Sequence, residues 1–257
     1  MFDFNLFDIK LETSLLGRNF IYLVEIASTN TFILDKKNKI IKDGSLVLAE
    51  KQTKGKGRRN RVWYSEKGLN LNFSILITDK KLLSKNLNIL NLGVSLVIAN
   101  SIENLYSVQT NVKWSNDVLI NNKKVAGILL ETNSQGNSIE KLIIGIGVNV
   151  NQTSFMGEFN LEPTSIKLIT KNNIEREKLL AEILNNLEYI FQKIRSNPNS
   201  VLTDWVNKCN SIGKRIDVNQ DGKVLTGVFE GLEENGFLLL KVKDKLNKIY
   251  FGDINVE

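Results

Sequence analysis

The chain has 257 residues, of which 42% are hydrophobic and 24% charged, and its formal net charge is +6. This composition is that of a globular protein with a substantial core, so a disordered chain is excluded. Histidine is absent and cysteine occurs once, at Cys209. Serine–histidine and cysteine–histidine catalysis, histidine-containing zinc sites and an internal disulfide are therefore excluded.

Several features of the sequence predict a cytoplasmic location. The first residues include acidic side chains and no basic segment, which is unlike a signal peptide. The apolar runs, such as residues 142–150, are too short to span a membrane, so no membrane association is expected. A single cysteine also suits a reducing compartment.

The first two thirds of the chain predict a mixed pattern of strands and helices. Ser28, Thr29 and Asn30 follow an apolar run and precede helical spacing, which is typical of a strand, a polar cap and a helix. A longer helix is predicted over residues 84–106. Asn121 and Asn122 are expected to form a turn. Strands are predicted over residues 20–26, 45–52, 70–77, 111–120, 124–132 and 141–151.

The last third predicts helices followed by a small β domain. Helical spacing is found over residues 174–194 and 199–207, with Trp205 packing inward. Asp-Gly and Asn-Gly pairs then separate short apolar runs, which is typical of hairpins. These runs predict strands over residues 215–218, 224–232, 237–242 and 248–251. We expect an α+β fold, with a mixed sheet and helices on one face over residues 1–212 and a small β domain over 213–257.

Residues 51–61 form a glycine-rich loop with six basic side chains, and residues 55–63 read Gly-Lys-Gly-Arg-Arg-Asn-Arg-Val-Trp. The chain has only seven arginines, and Arg58, Arg59 and Arg61 are three of them. Arginine provides planar, forked donors, and glycines let backbone N–H groups approach an anion. Three interpretations remain open for this loop, namely binding of a phosphate or nucleotide, contact with nucleic acid, and a solvated basic surface.

Two further segments, a predicted hairpin and a glycine-containing strand, are candidates for a site. Asp117 and Lys124 lie seven positions apart across a predicted hairpin, so they are expected to be close, either as site residues or as a surface ion pair beside a buried Trp114. Gly145 and Gly147 lie two apart on a predicted strand, which leaves one face without side chains. A flat ligand or another backbone segment would fit there, and a β-bulge is the alternative.

Taken together, these segments resemble the catalytic core of biotin protein ligases. The family pattern is Gly-Arg-Gly-Arg-x-x-Arg-x-Trp, then Lys-Trp-Pro-Asn-Asp, Lys-x-x-Gly-Ile-Leu-x-Glu and Gly-x-Gly-x-Asn. The matching segments here are residues 55–63, 113–117, 124–131 and 145–149. Lys56 stands where the family usually has Arg, and Ser115 where it usually has Pro. The first departure loses a forked donor, which affects how tightly an intermediate would be held.

The resemblance implies a class II synthetase-like core with a C-terminal SH3-like β-barrel. It also implies a two-step reaction, in which biotin and ATP form biotinyl-5′-AMP and the biotinyl group then passes to a lysine of a biotin carboxyl carrier protein. Mg²⁺ would accompany ATP rather than occupy a fixed protein site. A homodimer and a monomer both remain open. Only 27 residues precede Ser28, which is too few for the DNA-binding domain of some family members, so the ligase-only type without DNA binding is expected.

The resemblance also implies roles for individual residues. The catalytic residues would be Lys124 beside the reacting carboxylate and phosphate, Arg58 on the phosphates, and Asp117 as acceptor for the incoming amine. The biotin site would comprise Ser28, Thr29, Asn30, Gln52, Lys56, Gly57, Arg58, Lys124, Gly127, Gly145 and Gly147. The ATP site would comprise Arg58, Arg61, Trp63, Lys113, Asn116, Lys124 and Asn149.

Two other functions compete with this interpretation. A lipoate-type ligase shares the acyl-adenylate chemistry but would need a long apolar tunnel and a different glycine loop. A nucleic-acid-binding module would use the basic loop and would bind with a steep dependence on salt. It would leave the segments around Asp117, Lys124 and Gly145 unexplained.

Overall fold

The computed structural model describes residues 2–84, 87–136 and 138–256, and only the backbone at position 60. The helices are α1 (Phe4–Lys10), α2 (Thr29–Leu34), α3 (Lys80–Leu83), α4 (Leu87–Tyr106), α5 (Ile166–Thr170), α6 (Arg176–Ser196) and α7 (Pro198–Lys208). The strands before α5 are β1 (Phe20–Leu23), β2 (Leu46–Ala49), β3 (Leu71–Ile77), β4 (Asn111–Lys113), β5 (Asp117–Ile120), β6 (Lys123–Gln135) and β7 (Ser138–Val148). Those after α7 are β8 (Arg215–Gln220), β9 (Lys223–Leu232), β10 (Leu238–Val242), β11 (Lys245–Ile249) and β12 (Asp253–Val256).

The main sheet has the order β1-β2-β3-β7-β6-β5-β4. The β1–β2 pair is parallel and the other pairs are antiparallel, so the predicted mixed sheet is confirmed. The large helices α4, α6 and α7 pack on one face, where side chains such as Phe73 and Ile144 enter the main core. Trp205 is fully buried there, as predicted, and donates from Nε1 to Ser95 Oγ at 3.0 Å.

The second face of the sheet carries a smaller core and leaves room for a site. Ile33 of α2 packs there with Val47, Leu76 and Ile143. Because successive side chains of a strand point to opposite faces, Ser74 and Asn72 continue this second face along β3. The short helix α2 thus lies opposite the large helices and covers one end of this face.

The C-terminal residues form an antiparallel sheet in the order β11-β10-β9-β8-β12. The small β domain is confirmed, whereas no pairing that closes β11 and β12 into a barrel is seen among the described residues. Trp114, between β4 and β5, donates from Nε1 to the carbonyl of Gly236 at 3.2 Å. This buried hydrogen bond joins the C-terminal sheet to the main sheet.

The differences from the predicted elements are local. Residues 111–120 form two strands, because the chain turns between Lys113 and Asp117. The strand predicted over residues 248–251 begins earlier, as β11, and β12 was not predicted. The short helices α1, α3 and α5 were also missed. Of the helix predicted over 84–106, positions 85 and 86 lie outside the described residues.

Helix α4 is, within the described part of the chain, the one helix long and apolar enough to cross a membrane. Its mean hydropathy is 1.2, and 67% of the apolar window is buried inside the protein. Burial of this kind is also found in the core helix of a globular protein.

Candidate active site

A cavity of about 640 Å³ opens on the second face of the main sheet. Every residue that the sequence analysis assigned to the biotin and ATP sites lines this cavity. Its floor is lined by Gly127, Leu129, Gly145 and Gly147. Strand pairing places them in two rows, with Ser74 next to Gly145 and Asn72 next to Gly147. The two glycines of the Gly-x-Gly segment therefore lie side by side in one wall of the cavity.

One end of the cavity contains a network of short polar side chains from α2. The Thr29 amide donates to Gln52 Oε1 at 2.8 Å, and Thr29 Oγ1 lies 2.6 Å from Ser74 Oγ. Asn30 Nδ2 donates to Glu131 Oε2 at 2.7 Å. Ser28 occupies the predicted N-cap position, but its hydroxyl makes no capping hydrogen bond. These fixed donors and acceptors suit a small polar head group such as a cyclic urea.

The glycines of the floor are required by close contacts. A Cβ at Gly145 would lie 2.4 Å from Asn30 Oδ1, and one at Gly147 would lie 2.3 Å from Cε2 of Trp63. Trp63 donates from Nε1 to Asn72 Oδ1 at 3.0 Å, so its indole lies against Gly147. The face without side chains expected from the sequence is present, and it is covered by Asn30 at Gly145 and by the indole of Trp63 at Gly147.

Lys124 and Asp117 form an ion pair at the cavity wall, with 2.7 Å between Nζ and Oδ1. Their proximity was predicted from the hairpin, which turns at Asn121 and Asn122 with positive φ angles of 50° and 61°. The Lys124 ammonium also lies 5.6 Å from the ring centroid of Trp63. A cation, a carboxylate and an aromatic face thus meet at one point.

Lys113 of β4, which is separated from the strand of Lys124 by β5, adds a second cation to this wall. Burial lowers its pKa from the usual value, while the carboxylates of Asp117 and Asp253 act in the opposite direction. Asn149 is buried nearby, and its Oδ1 has no hydrogen-bond partner among the described residues. Both groups would gain from an incoming ligand, the first from an anion and the second from a donor or a cation.

The basic loop is docked rather than extended into solvent. Arg58 donates from Nη1 to Asn116 Oδ1 at 2.9 Å and to Ser115 Oγ. Arg61 donates from Nη2 to both carboxylate oxygens of Asp253, each at 2.8 Å. The loop sequence contains no acidic residue, and Asp253 of the C-terminal sheet provides the acidic partner.

Arg59 contacts the same C-terminal sheet. Its Nη1 lies 3.4 Å from Asp253 and its Nη2 lies 3.6 Å from Asp221. Its backbone adopts a left-handed conformation, with φ of 54°. Arg59 and Arg61 are therefore neutralised by the C-terminal sheet. Arg58 instead donates to Ser115 and Asn116, between β4 and β5 of the main sheet.

Several residues of the cavity and its support were not identified from the sequence. Asn72 and Ser74 hydrogen-bond to the cavity residues Trp63 and Thr29. They are polar residues two positions apart in an otherwise apolar strand, and this alternation was an available signal. Asp253 is 192 residues away from Arg61 in sequence, so no local pattern could reveal it. The segment 155–161 contributes Phe155, Met156 and Phe159, and it has no periodicity that would mark it.

Lys56 lies in the loop where a forked donor was expected in the family pattern. Its backbone pairs with Val62 in an isolated antiparallel bridge. Its side chain is exposed and forms no ion pair with any residue that the structure describes. The ammonium is thus free to reach an anion, although without a bidentate geometry.

Comparison with known proteins gives a consistent result. The model of the biotin/lipoate A/B protein ligase family matches residues 22–149, and that of the biotin protein ligase C-terminal domain matches residues 211–256. A bifunctional ligase/repressor BirA of Bacillus spizizenii is 33% identical over 96% of this chain and 76% of its own length. A biotin--[acetyl-CoA-carboxylase] ligase of Mycobacterium tuberculosis is 28% identical over 82% of this chain and 79% of its own.

A solved structure supports the same conclusion for the fold. The biotin protein ligase from Aquifex aeolicus in complex with biotin and ATP superimposes with a TM-score of 0.82 and 29% identity. The match covers 93% of this chain and 99% of that one. The similarity therefore extends over both sheets. The chain belongs to the biotin/lipoate A/B protein ligase family and carries the C-terminal domain of biotin protein ligases.

Proposed function

We propose that this protein activates biotin with ATP to give biotinyl-5′-AMP and transfers the biotinyl group to a lysine of a biotin carboxyl carrier protein. The observation that carries the proposal is the convergence, in one cavity, of a polar α2 network, a glycine floor and several cations. The relatives named as biotin ligases, and the similar structure that holds biotin and ATP, support the same assignment.

The first step brings two anions together, and the cations of the cavity lower that cost. The biotin carboxylate attacks the α-phosphorus, a P–O bond forms, and pyrophosphate leaves. Lys124 would lie between the carboxylate and the phosphoryl oxygens, with Arg58 and Lys113 on the phosphates. No proton has to be removed first, because a carboxylate is already ionised near neutral pH. This accounts for a site that works without histidine.

The ends of the ligand would be held by different parts of the cavity. The ureido ring of biotin has two N–H donors and one carbonyl acceptor, which match the network of Ser28, Thr29 and Gln52. The bicycle would lie beside the glycine floor, where Asn30 covers Gly145 and Trp63 covers Gly147. The remaining members of the two proposed sites are Asn30, Lys56, Gly57, Gly127, Gly145, Gly147, Arg61, Trp63, Asn116 and Asn149, with Trp63 as the adenine platform.

Mg²⁺ would enter with the triphosphate. Among the described residues no cluster of three or more acidic, cysteine or histidine side chains is placed to hold a metal ion. Asn149 Oδ1 is a buried oxygen without a hydrogen-bond partner among the described residues, and an oxygen of this kind suits a hard cation. When bound, the ion would neutralise the phosphates, and the protein's contribution would be to orient them.

In the second step the lysine amine of the carrier attacks the acyl carbon and AMP leaves. Asp117 would accept a hydrogen bond from this amine or take its proton, since only its Oδ1 is engaged by Lys124. The carrier would have to approach the open side of the cavity. We further propose that the chain divides near residue 212 into a catalytic domain and a C-terminal domain whose Asp253 completes the cavity wall.

Biotin-dependent exchange of labelled pyrophosphate into ATP tests the activation step. We expect exchange with biotin and at most a weak signal with lipoate, because the polar network of α2 suits a cyclic urea, which lipoate lacks. Exchange with lipoate alone would replace the proposal by the lipoate-type activity. Tight, salt-sensitive binding of DNA or RNA with no exchange would favour the nucleic-acid module instead.

A further inference from the structure

The hydroxyl group of Ser115 lies beneath the guanidinium of Arg58. Arg58 Nη1 donates both to Ser115 Oγ and to Asn116 Oδ1. Ser115 occupies the position of a proline in the family pattern, and a proline side chain has no acceptor. The contact is therefore a feature of this chain that the family resemblance does not predict.

Both acceptors are anchored to rigid elements. The Ser115 carbonyl accepts from Asn91 Nδ2 of α4 at 2.8 Å. The Asn116 amide nitrogen Nδ2 donates to the carbonyl of Ile128 in β6 at 2.9 Å. Since α4 and β6 both belong to the main core, the direction in which Arg58 Nη1 points is fixed from two sides.

Arg58 needs such acceptors because it is partly removed from water. Burial lowers the pKa of its guanidinium, and Asp253 and Asp117 counteract this at a distance. The two hydrogens of Nη1 are used by Ser115 and Asn116. No hydrogen bond engages Nη2 or Nε of Arg58 within the described part of the chain. One side of the fork is thus anchored, and the other side remains for an anion.

We propose that Ser115 is a positioning residue for the adenylation reaction, which holds Arg58 Nη1 so that Nη2 and Nε meet the phosphate of the intermediate. The inference rests on the proposed function, because it assigns that phosphate to biotinyl-AMP. The contact of Ser115 with Arg58 also offsets the loss of a forked donor at Lys56, because it fixes the direction of the Arg58 guanidinium.

The test combines the variants Ser115→Ala, Ser115→Thr, Arg58→Ala and the double variant of Ser115→Ala with Arg58→Ala. Ser134→Ala, an exposed serine of β6, is the matched control. The readout is the rate at which preformed biotinyl-AMP leaves the protein. We expect about fivefold faster release from Ser115→Ala, because one of the two acceptors that orient the partly solvated Arg58 Nη1 is lost. Release from Ser115→Thr should return to within about twofold of wild type, since the acceptor is restored.

The double variant distinguishes positioning from a general loss of structure. Release from it should equal that from Arg58→Ala alone, because Ser115 acts only through Arg58. An unchanged rate for Ser115→Ala, or an equal additional increase in the Arg58→Ala background, would overturn the inference.

Unfolding in urea of the same unliganded proteins tests the contact without any reaction. Ser115→Ala should raise the unfolding equilibrium constant about threefold to fivefold in the wild-type background, and not in the Arg58→Ala background. Equal effects in both backgrounds would refute the contact. A wild type that forms no adenylate would instead refute the proposed function, and this unfolding cycle would still decide whether Ser115 and Arg58 interact.

Discussion

The indole of Trp63 leaves no room for a side chain at Gly147 on the cavity floor, and this predicts the effect of one added methyl group. In Gly147→Ala the new Cβ would lie 2.3 Å from Trp63 Cε2 and 2.5 Å from Cζ2. Gly147 lies in a buried strand paired on both sides, so the backbone has little freedom to move away. The indole must therefore shift, and its hydrogen bond to Asn72 at 3.0 Å is lost.

The magnitude follows from these contacts. Overpacking of this kind costs about 1–3 kcal/mol, and replacing a strand glycine by alanine returns roughly 0.5–1 kcal/mol through the unfolded chain. We expect the free energy of unfolding to fall by about 1–2 kcal/mol. Gly57→Ala is the matched control, because its Cβ would meet Arg61 O at 3.4 Å, which is an ordinary contact. Its free energy of unfolding should change by less than about 0.5 kcal/mol.

Urea unfolding of single and double variants provides the assay. In a Trp63→Ala background the clash is absent, so Gly147→Ala should be neutral or slightly stabilising. Native tryptophan emission gives a second readout, since Trp114 and Trp205 are buried and are held by their own hydrogen bonds to Gly236 and Ser95. An equal loss of stability with and without the Trp63 side chain would refute the described position of the indole.

Three further outcomes are expected. Lys124→Ala should slow pyrophosphate exchange on the order of 10²–10⁴-fold, because a cation between the carboxylate and the α-phosphate is removed. An exchange rate within about threefold of wild type would mean that Lys124 is only a surface charge. Asp253→Asn should speed hydrogen exchange over residues 56–62. It should lower the free energy of unfolding by less than about 1 kcal/mol, because Arg61 is 42% exposed and its ion pair is screened by solvent. Unchanged hydrogen exchange would show that the loop does not depend on Asp253. Burial alone would raise the pKa of Glu50, but the hydrogen bond from Arg176 holds this pKa below its ordinary value. The pair therefore stabilises the fold above about pH 4.3, and this contribution is lost as the pH falls through the lower folded-state pKa. Glu50→Gln should therefore flatten the dependence of unfolding free energy on pH between about 5 and 2, and an unaltered slope would contradict this.

The elements that the sequence predicted well are those with local signals. The periodicity of α4 and α6 and the Asn-Asn turn before β6 lie in short windows of sequence. The same is true of the glycine loop and of the Asp117–Lys124 pair, which this turn brings close. A register shift between Val118 and Leu119, which the turn does not predict, sets the pairing at Asp117. Strand pairing then carries these local features into one cavity, because β3, β7 and β6 are neighbours.

The elements that were missed depend on contacts distant in sequence. Asp253 meets Arg61 only because the C-terminal sheet folds back over the loop, and Trp114 is anchored to Gly236 from the same sheet. Ser115 was considered only as a departure from a family proline. Its hydrogen bond from Arg58 depends on where two segments 57 residues apart are placed. Side-chain partners of this kind have no period or spacing from which they could be predicted.

Transfer of biotin to a carrier tests the central claim most directly. A purified carrier domain would be incubated with this protein, biotin and ATP, and its mass and modified residue determined by mass spectrometry. We predict one biotinyl group on one lysine, dependent on both biotin and ATP, with no transfer when lipoate replaces biotin. A folded protein that binds biotin and ATP but leaves the carrier unmodified would contradict the account.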